Sequence, residues 1–213
     1  MISVEQIKEA IRKADLMESD HGAETYGVPA LTSLKIRHLL NNIGRLGSKY
    51  LECGVHKGGT HTATISGNWN LREIVAIDSF ESDLATDDKA YPQFKANLEQ
   101  HLPEGAKHTI IISDSFEVNA NKLPKNIDIY LYDGDHSEVY QRKALTFFLP
   151  ALADEFIYLC DDFDWPEVKL GTLRGIHDGG LAVLFEHTLV GNDHDNDGYW
   201  NGFYIALLKK PKP

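Results

Sequence analysis

The chain has 213 residues, of which 42% are hydrophobic and 25% charged, proportions typical of one soluble globular domain. Its formal net charge of −11 makes nucleic acid and anionic membrane surfaces unfavourable partners, so we expect neither. No apolar run reaches the roughly 20 residues of a membrane span, and the N-terminus lacks the apolar core of a signal peptide. Cys53 and Cys160 lie inside apolar runs, which excludes a disulfide framework and favours a cytoplasmic protein.

Two helices are predicted at the N-terminus. Ser3 and Gln6 fit a capping box, and apolar residues then recur at helical spacing up to Ala14. A second helical pattern covers residues 36–43, and Gly44 is suited to end it. The link at 21–29 is interpreted as either a plain linker or a lid. We therefore assign residues 1–46 to a helical extension or lid, and 47–213 to the main domain.

From residue 48 onward, short apolar runs alternate with helical stretches, which predicts a mostly parallel sheet covered on both faces. These runs cover residues 50–53, 74–77, 109–112, 127–132 and 156–160. Two further runs, 181–190 and 199–208, are joined by a polar segment and predict a closing antiparallel hairpin.

In an open parallel sheet, ligands bind at the carboxyl ends of the strands, so the residues that end each run are candidate site residues. The first run ends in Glu52 and a glycine-rich loop, where Gly54 and Gly58 allow tight turns and a close approach to a ligand. This loop fits neither a P-loop nor the dinucleotide fingerprint, and a plain β-to-α turn is the alternative. His56 and His61 are interpreted as ordinary loop and helix residues.

The second and third runs also end in polar residues. Asp78, 24 residues after Gly54, is placed either to accept hydrogen bonds from both hydroxyls of a ribose or to cap a helix. Asp114 and Ser115 follow the third run and are either a cap or a contact to an adenine amino group.

Four aspartates follow the fourth and fifth runs: Asp133, Asp135, Asp161 and Asp162. If the two strands are neighbours, their tips lie about 5 Å apart. Carboxylates gathered in this way repel one another unless their pKa values rise or a cation is present. Oxygen ligands suit Mg²⁺, Ca²⁺ or Mn²⁺ better than zinc. The alternative is that these residues are separate, solvated helix caps.

In combination, these segments resemble the class I S-adenosylmethionine-dependent methyltransferases, and among them the small-molecule, metal-dependent sugar O-methyltransferases. The resemblance rests on E-x-G-x-x-x-G at 52–58, I-D at 77–78, Y-D-G-D-H-S at 132–137 and C-D-D at 160–162, and it covers about residues 30–208. It implies an α/β fold: a three-layer, Rossmann-like sheet of about seven strands, mostly parallel with an antiparallel last strand, plus the N-terminal helices.

The resemblance also implies roles for individual residues. The residues implied to bind S-adenosylmethionine are Glu52, Gly54, Gly58, Asp78, Ser79, Asp114, Ser115 and Asp133. A divalent metal, with Mg²⁺ as the first candidate, is implied on Asp133, Asp161 and Asp162, and Asp135 is implied as the general base. His136 is a second candidate base, because the unperturbed pKa of histidine lies near 6.5.

Two further features leave their roles open. Residues 193–198 match the opening of an EF-hand loop, but the position of its bidentate glutamate is Tyr204. We interpret the segment as a polar hairpin turn, with a loop beside the substrate as the alternative. Trp165 fits either a substrate pocket or the core.

The function predicted from the sequence is therefore methyl transfer from S-adenosylmethionine to a hydroxyl of a small molecule, with sugars among the candidates and a divalent metal assisting. An NAD-type oxidoreductase and a non-catalytic cofactor-binding protein of the same fold are the alternatives. The expected partner is the small-molecule acceptor, and a homo-oligomer is left open.

Overall fold

Seven strands form one sheet in the computed structural model, which describes residues 2–19, 27–81, 89–192 and 197–212. The strands are β1 (Lys49–Cys53), β2 (Glu73–Asp78), β3 (Lys107–Ile112), β4 (Ile127–Tyr132), β5 (Leu152–Asp161), β6 (Ala182–Leu189) and β7 (Phe203–Lys209). Their order across the sheet is β3-β2-β1-β4-β5-β7-β6. β7 runs antiparallel to both of its neighbours, whereas the other pairs are parallel. The predicted mostly parallel sheet with an antiparallel last strand is confirmed.

Helices cover both faces of this sheet. They are α1 (Val4–Asp15), α2 (Leu34–Gly44), α3 (Gly59–Ile65), α4 (Ala90–His101), α5 (Glu138–Phe148) and α6 (Pro166–Asp178). The capping box is confirmed, since Ser3 Oγ accepts the N–H of Gln6 and Gln6 Oε1 accepts the N–H of Ser3. Within the described ranges, no helix is both long enough and apolar enough to cross a bilayer.

The hydrophobic core lies in two layers, one on each face of the sheet. Alternate residues of a strand point to opposite faces, so Tyr50 of β1 belongs to the core layer that includes α1, α2, α3 and α4, and Leu51 to the layer that includes α5 and α6. Both side chains are fully buried, as expected for a parallel strand covered on both sides. Cys53 and Cys160 are buried free thiols. Because α1 and α2 share a core with the sheet, the domain boundary at residue 46 stays a prediction.

The strand order reverses between β1 and β4: the chain runs outward from β1 to β2 and β3, and then crosses to β4 on the other side. In sheets of this kind, the crevice for a ligand opens at that point, outside the carboxyl ends of the strands. Two segments singled out in the sequence lie partly outside the described residues. These are residues 21–26 of the candidate lid and residues 193–196 of the polar turn.

Candidate functional site

A cavity of about 310 Å³ opens at the carboxyl edge of the sheet, where the strand order reverses. Its volume lies at the lower end of the range of small-molecule sites, about 300–1,000 Å³. The glycine loop after β1 forms one wall, and Asp78 at the end of β2 forms another together with Phe80. Asp133, His136 and Asp162 line the side next to β4 and β5, and residues 29–31, here called the cover segment, also contact the cavity.

Gly54 joins the tips of three strands. Its φ of +86° lies in the left-handed region, and a Cβ at this position would lie 1.9 Å from the carbonyl oxygen of Asp133. Its N–H donates to Ile77 of β2, and the N–H of Asp133 donates to Cys53 of β1. Gly54 lines the cavity, whereas a Cβ on Gly58 would meet the ring of Phe94 instead.

The carboxylate of Asp78 holds the glycine loop. Its Oδ2 accepts the N–H groups of Val55 and His56 at 2.7 and 2.8 Å, and its Oδ1 accepts the N–H of Phe80 at 2.6 Å. Asp78 therefore faces the cavity and fixes the shape of the loop beside it. Ser79, the next residue, lies away from the described cavity wall, and its Oγ accepts the N–H of Glu81.

Glu52 lies beneath the loop and is fully buried. Its carboxyl group accepts hydrogen bonds from Thr60 Oγ1 at 2.5 Å and from the Tyr50 hydroxyl at 2.6 Å, and it lies 2.8 Å from His61 Nδ1. Burial raises the pKa of Glu52 to about 8. Burial also lowers the pKa of His61 to about 3, and the imidazole of His61 reaches His108 of β3 at 2.9 Å. Through Thr60, which lines the cavity, Glu52 supports the wall from behind.

Asp133, His136 and Asp162 meet at the other side of the cavity. His136 Nε2 lies 3.1 Å from Asp162 Oδ2 and 3.8 Å from Asp133 Oδ1. One ligand atom from each residue falls within 4.8 Å of the other two. Burial raises the pKa of Asp133 to about 7, and the charge of Asp162 adds to this effect. Burial opposes protonation of His136, but the adjacent carboxylates outweigh it and raise the imidazole pKa.

Asp161 lies behind this group. It is buried, and its Oδ1 accepts the N–H of Asp162 at 3.0 Å. Burial, followed by the charges of Asp133 and Asp162, raises the pKa of Asp161 well above its ordinary value. The structure thus brings together two of the three predicted metal ligands, and it places His136 where the sequence suggested Asp161.

Three other predicted site residues lie away from the described cavity wall. Asp135 is exposed and accepts the N–H of Ser137, which precedes α5, at 2.8 Å. Asp114 is also exposed and accepts the N–H of Phe116 at 2.7 Å. Both bonds join residues two apart in local turns, and the residue at the N-cap of α5 is Ser137 and not Asp135. Ser115, next to Asp114, is half-buried. The roles predicted for these residues stay predictions.

Two residues beside the cavity have contacts that the sequence did not show. The ring of Trp165 meets the ring of His136 edge to face, with centroids 4.9 Å apart. Asn201, just before β7, donates from Nδ2 to Asp162 Oδ1 at 2.7 Å. The sequence predicts the β6–β7 hairpin but not that β7 pairs with β5. Knowledge of that pairing would have placed Asn201 near Asp162.

The donor set at Asp133, His136 and Asp162 fits a divalent metal. The contacts of His136 Nε2 are not aligned as hydrogen bonds, and this atom has no such partner among the described residues. Ligand atoms that lie about 2.1 Å from a metal ion are roughly 3–4 Å from one another. Small side-chain movements would therefore bring the three ligand atoms, now within 4.8 Å of one another, to binding distance. The two carboxylates suit Mg²⁺ or Mn²⁺, whereas the imidazole is a ligand that Fe, Cu, Ni and Zn also prefer, so the set accepts more than one divalent metal.

Comparison with known proteins gives a family and a fold. A family described as "Methyltransferase domain" matches residues 51–163. The O-methyltransferase TomG from Streptomyces achromogenes, solved with SAM, is 16% identical over 94% of this chain and 90% of its own, with a TM-score of 0.59. An O-methyltransferase from Bacillus cereus, solved with SAH, is 15% identical over 97% and 92%, with a TM-score of 0.55.

The fold by itself is shared more widely. Spermidine synthase from Thermotoga maritima is 14% identical over 76% of this chain and 54% of its own, with a TM-score of 0.50. No curated protein matches the sequence significantly. The reaction must therefore be argued from the family and from the residues of the site.

Proposed function

The chain belongs to the methyltransferase domain family and has the fold of class I S-adenosylmethionine-dependent methyltransferases, and on this premise we propose that it methylates a hydroxyl of a small molecule. S-adenosylmethionine is the proposed methyl donor, and a divalent metal is proposed to assist. The family match argues against the NAD-type oxidoreductase that the sequence left open.

One observation supports this proposal most strongly. A single cavity is lined both by Asp78 with the glycine loop and by Asp133, His136 and Asp162. β2 lies two strands from β4 and three from β5, so the two groups are separated by roughly 10–15 Å at the edge of the sheet. That separation gives one molecule room to be held at the β2 side while its far end reaches the acids of β4 and β5.

The β2 side of the cavity is suited to hold the cofactor. Asp78 already fixes the backbone of Val55 and His56, and unused lone pairs on its carboxylate can accept ribose hydroxyls. Phe80 adds an apolar surface on the same wall. When bound, S-adenosylmethionine would supply the electrophilic methyl carbon.

The other side is suited to prepare the acceptor. In the proposed reaction, the acceptor O–H gives its proton to the predicted base Asp135, the oxygen forms a bond to the methyl carbon, and the carbon–sulfur bond breaks. The products are a methyl ether and S-adenosylhomocysteine. Asp133, Asp162 and His136 would hold the divalent metal, which would lower the pKa of the acceptor hydroxyl when bound.

The contacts of His136 also favour a metal-free variant of this mechanism. The carboxylates of Asp133 and Asp162 raise the pKa of its imidazole, so His136 is both a candidate ligand and a candidate base. In the variant, neutral His136 takes the acceptor proton directly, and the two carboxylates stabilise the imidazolium that forms. Asp135 stays a predicted base that would have to leave its bond to Ser137.

Calorimetric titration with S-adenosylhomocysteine, with and without Mn²⁺, tests the proposal. We expect binding in both conditions, followed by methyl transfer from labelled cofactor to a panel of hydroxyl acceptors. No binding at millimolar concentration would contradict the cofactor assignment. Transfer that survives EDTA unchanged would favour the variant in which His136 is the base.

A further inference from the structure

Asn201 contacts the proposed acceptor side of the cavity from outside the parallel strands. Its Nδ2 donates a 2.7 Å hydrogen bond to Oδ1 of Asp162, while Oδ2 of the same carboxylate lies 3.1 Å from His136 Nε2. The two oxygens of Asp162 are therefore used differently. One is held by an amide, and the other faces the atoms that could hold a cation.

The backbone around Asn201 is fixed against the segment that carries Asp162. The carbonyl of Asn201 accepts the N–H of Asp164 at 2.9 Å, and the carbonyl of Gly202 accepts the N–H of Phe163 at 3.1 Å. A Cβ on Gly202 would lie 2.5 Å from Cγ of Asp164, so this close approach requires a glycine. The backbone that carries the Asn201 amide is thus fixed against the segment that carries Asp162.

The same turn is also attached to the N-terminal part of the chain. Ser33 Oγ donates to the carbonyl of Gly198 at 2.5 Å in a buried contact, and the Tyr199 hydroxyl donates to Asp15 Oδ1 at 2.8 Å. Ser33 caps α2 and follows the cover segment closely in sequence. These contacts fix the turn at residues 198–202, which includes Asn201, beside the cavity wall.

We propose that Asn201 is a positioning residue that holds the Asp162 carboxylate so that Oδ2 points toward a bound divalent cation; this inference rests on the metal-assisted function proposed above. A carboxylate held at one oxygen by an amide keeps one oxygen for the metal and loses little rotational freedom on binding it. Partners of this kind behind a metal ligand typically contribute 10–100-fold in metal affinity.

The test compares Asn201→Ala with Asn70→Ala, measuring Mn²⁺ affinity by electron paramagnetic resonance of free Mn²⁺ at pH 8. Asn70 is a matched control because its amide donates to the carbonyls of Gly44 and Gly47, away from the described cavity wall. We expect Asn201→Ala to weaken Mn²⁺ binding 10–100-fold and to leave the affinity for S-adenosylhomocysteine within twofold. Asn70→Ala should leave both affinities unchanged.

The other outcomes separate the inference from the function it rests on. If the wild type binds Mn²⁺ and Asn201→Ala binds it equally well, the positioning role is wrong while the metal site stands. If Asn201→Ala weakens both ligands, Asn201 supports the fold and not the carboxylate, and the inference is overturned. If the wild type binds no Mn²⁺, the metal part of the proposed function and this inference are both wrong. Binding of S-adenosylhomocysteine by the same protein would still support the cofactor assignment. Should Asn201→Ala fail to fold, Asn201→Ser is measured instead, with a loss of at least threefold expected and no loss counting against the role.

Discussion

The carboxyl group of Glu52 and the imidazole of His61 lie 2.8 Å apart, fully buried beneath the glycine loop. Burial disfavours charge on both groups, since it raises the pKa of Glu52 to about 8 and lowers that of His61 to about 3. At neutral pH, the pair is therefore an uncharged hydrogen-bonded unit under the cavity wall.

Replacing Glu52 by Gln should make the protein less sensitive to alkaline pH. The folded-state pKa of Glu52 lies above its unfolded value near 4.3, so its contribution to stability is complete below that value and is lost as the pH rises toward 8. Glu52→Gln removes this loss. We expect the free energy of unfolding of the variant, relative to wild type, to increase between pH 5.5 and pH 8.5 in urea titrations. A constant difference across that range would show that Glu52 does not titrate in this window.

Gly54→Ala should destabilise the protein severely. The added Cβ meets the carbonyl of Asp133 at 1.9 Å, and the residue has a positive φ, so both backbone strain and a backbone clash oppose folding. A loss of about 3 kcal/mol or more in unfolding free energy is expected by urea denaturation. Gly27→Ala is the matched control, because no atom of the residues that the structure describes lies within 4 Å of its added Cβ. Equal stability of the two variants would contradict the role given to Gly54.

Asp78→Asn should weaken cofactor binding. The two oxygens of the Asp78 carboxylate accept three backbone N–H groups, whereas the amide of Asn has only one acceptor oxygen. The variant therefore loses hydrogen bonds that hold the loop at Val55 and His56. We expect the Kd for S-adenosylhomocysteine to rise at least tenfold in calorimetry, with a cost of about 1–3 kcal/mol in stability. Ser79→Ala provides the comparison and should bind within twofold of wild type. If Ser79→Ala has the larger effect, the ribose contact belongs to the serine.

Stabilisation by Mn²⁺ should grow between pH 6 and pH 8. The pKa of Asp133 lies near 7 in the folded protein, and a carboxyl group must lose its proton before it can bind a metal. Without metal, the raised pKa means that stability falls as the pH rises through 7, and the cation reverses that loss. Thermal unfolding with and without Mn²⁺ at the two pH values measures the effect.

Two variants check this pH response. Asp133→Asn should abolish it, whereas Asp154→Asn, at an exposed position of β5, should respond to Mn²⁺ as the wild type does. If the pH response persists in Asp133→Asn, the metal binds through ligands other than Asp133.

The sequence predicted the fold well because its signals are local. The capping box at Ser3 and the polar residues that follow each apolar run are read from neighbouring positions, and the edge where those residues gather follows from the parallel topology. The approach of Asp133 and Asp162 was foreseen for this reason.

What the sequence did not show depends on the direction of side chains and on strand order. A parallel strand is apolar on both faces, so its pattern cannot tell whether Glu52 points into the cavity or beneath it. Asp161 and Asp162 are adjacent, yet one is buried behind the site and the other lines it. Asn201 reaches Asp162 because β7 lies between β5 and β6, an arrangement that neither hairpin strand encodes alone.

The antiparallel direction of β7 also bears on how the acceptor preference of this protein could diverge. A strand of opposite direction enters the sheet at the edge where β4 and β5 leave it, so the connection from β6 arrives at the acceptor side of the cavity. Surface connections tolerate insertions at small entropic cost, since doubling a loop costs only about 0.6 kcal/mol. Changes of length or composition between β6 and β7 could therefore reshape the acceptor side while the strands that carry Asp78 and Asp133 stay as they are.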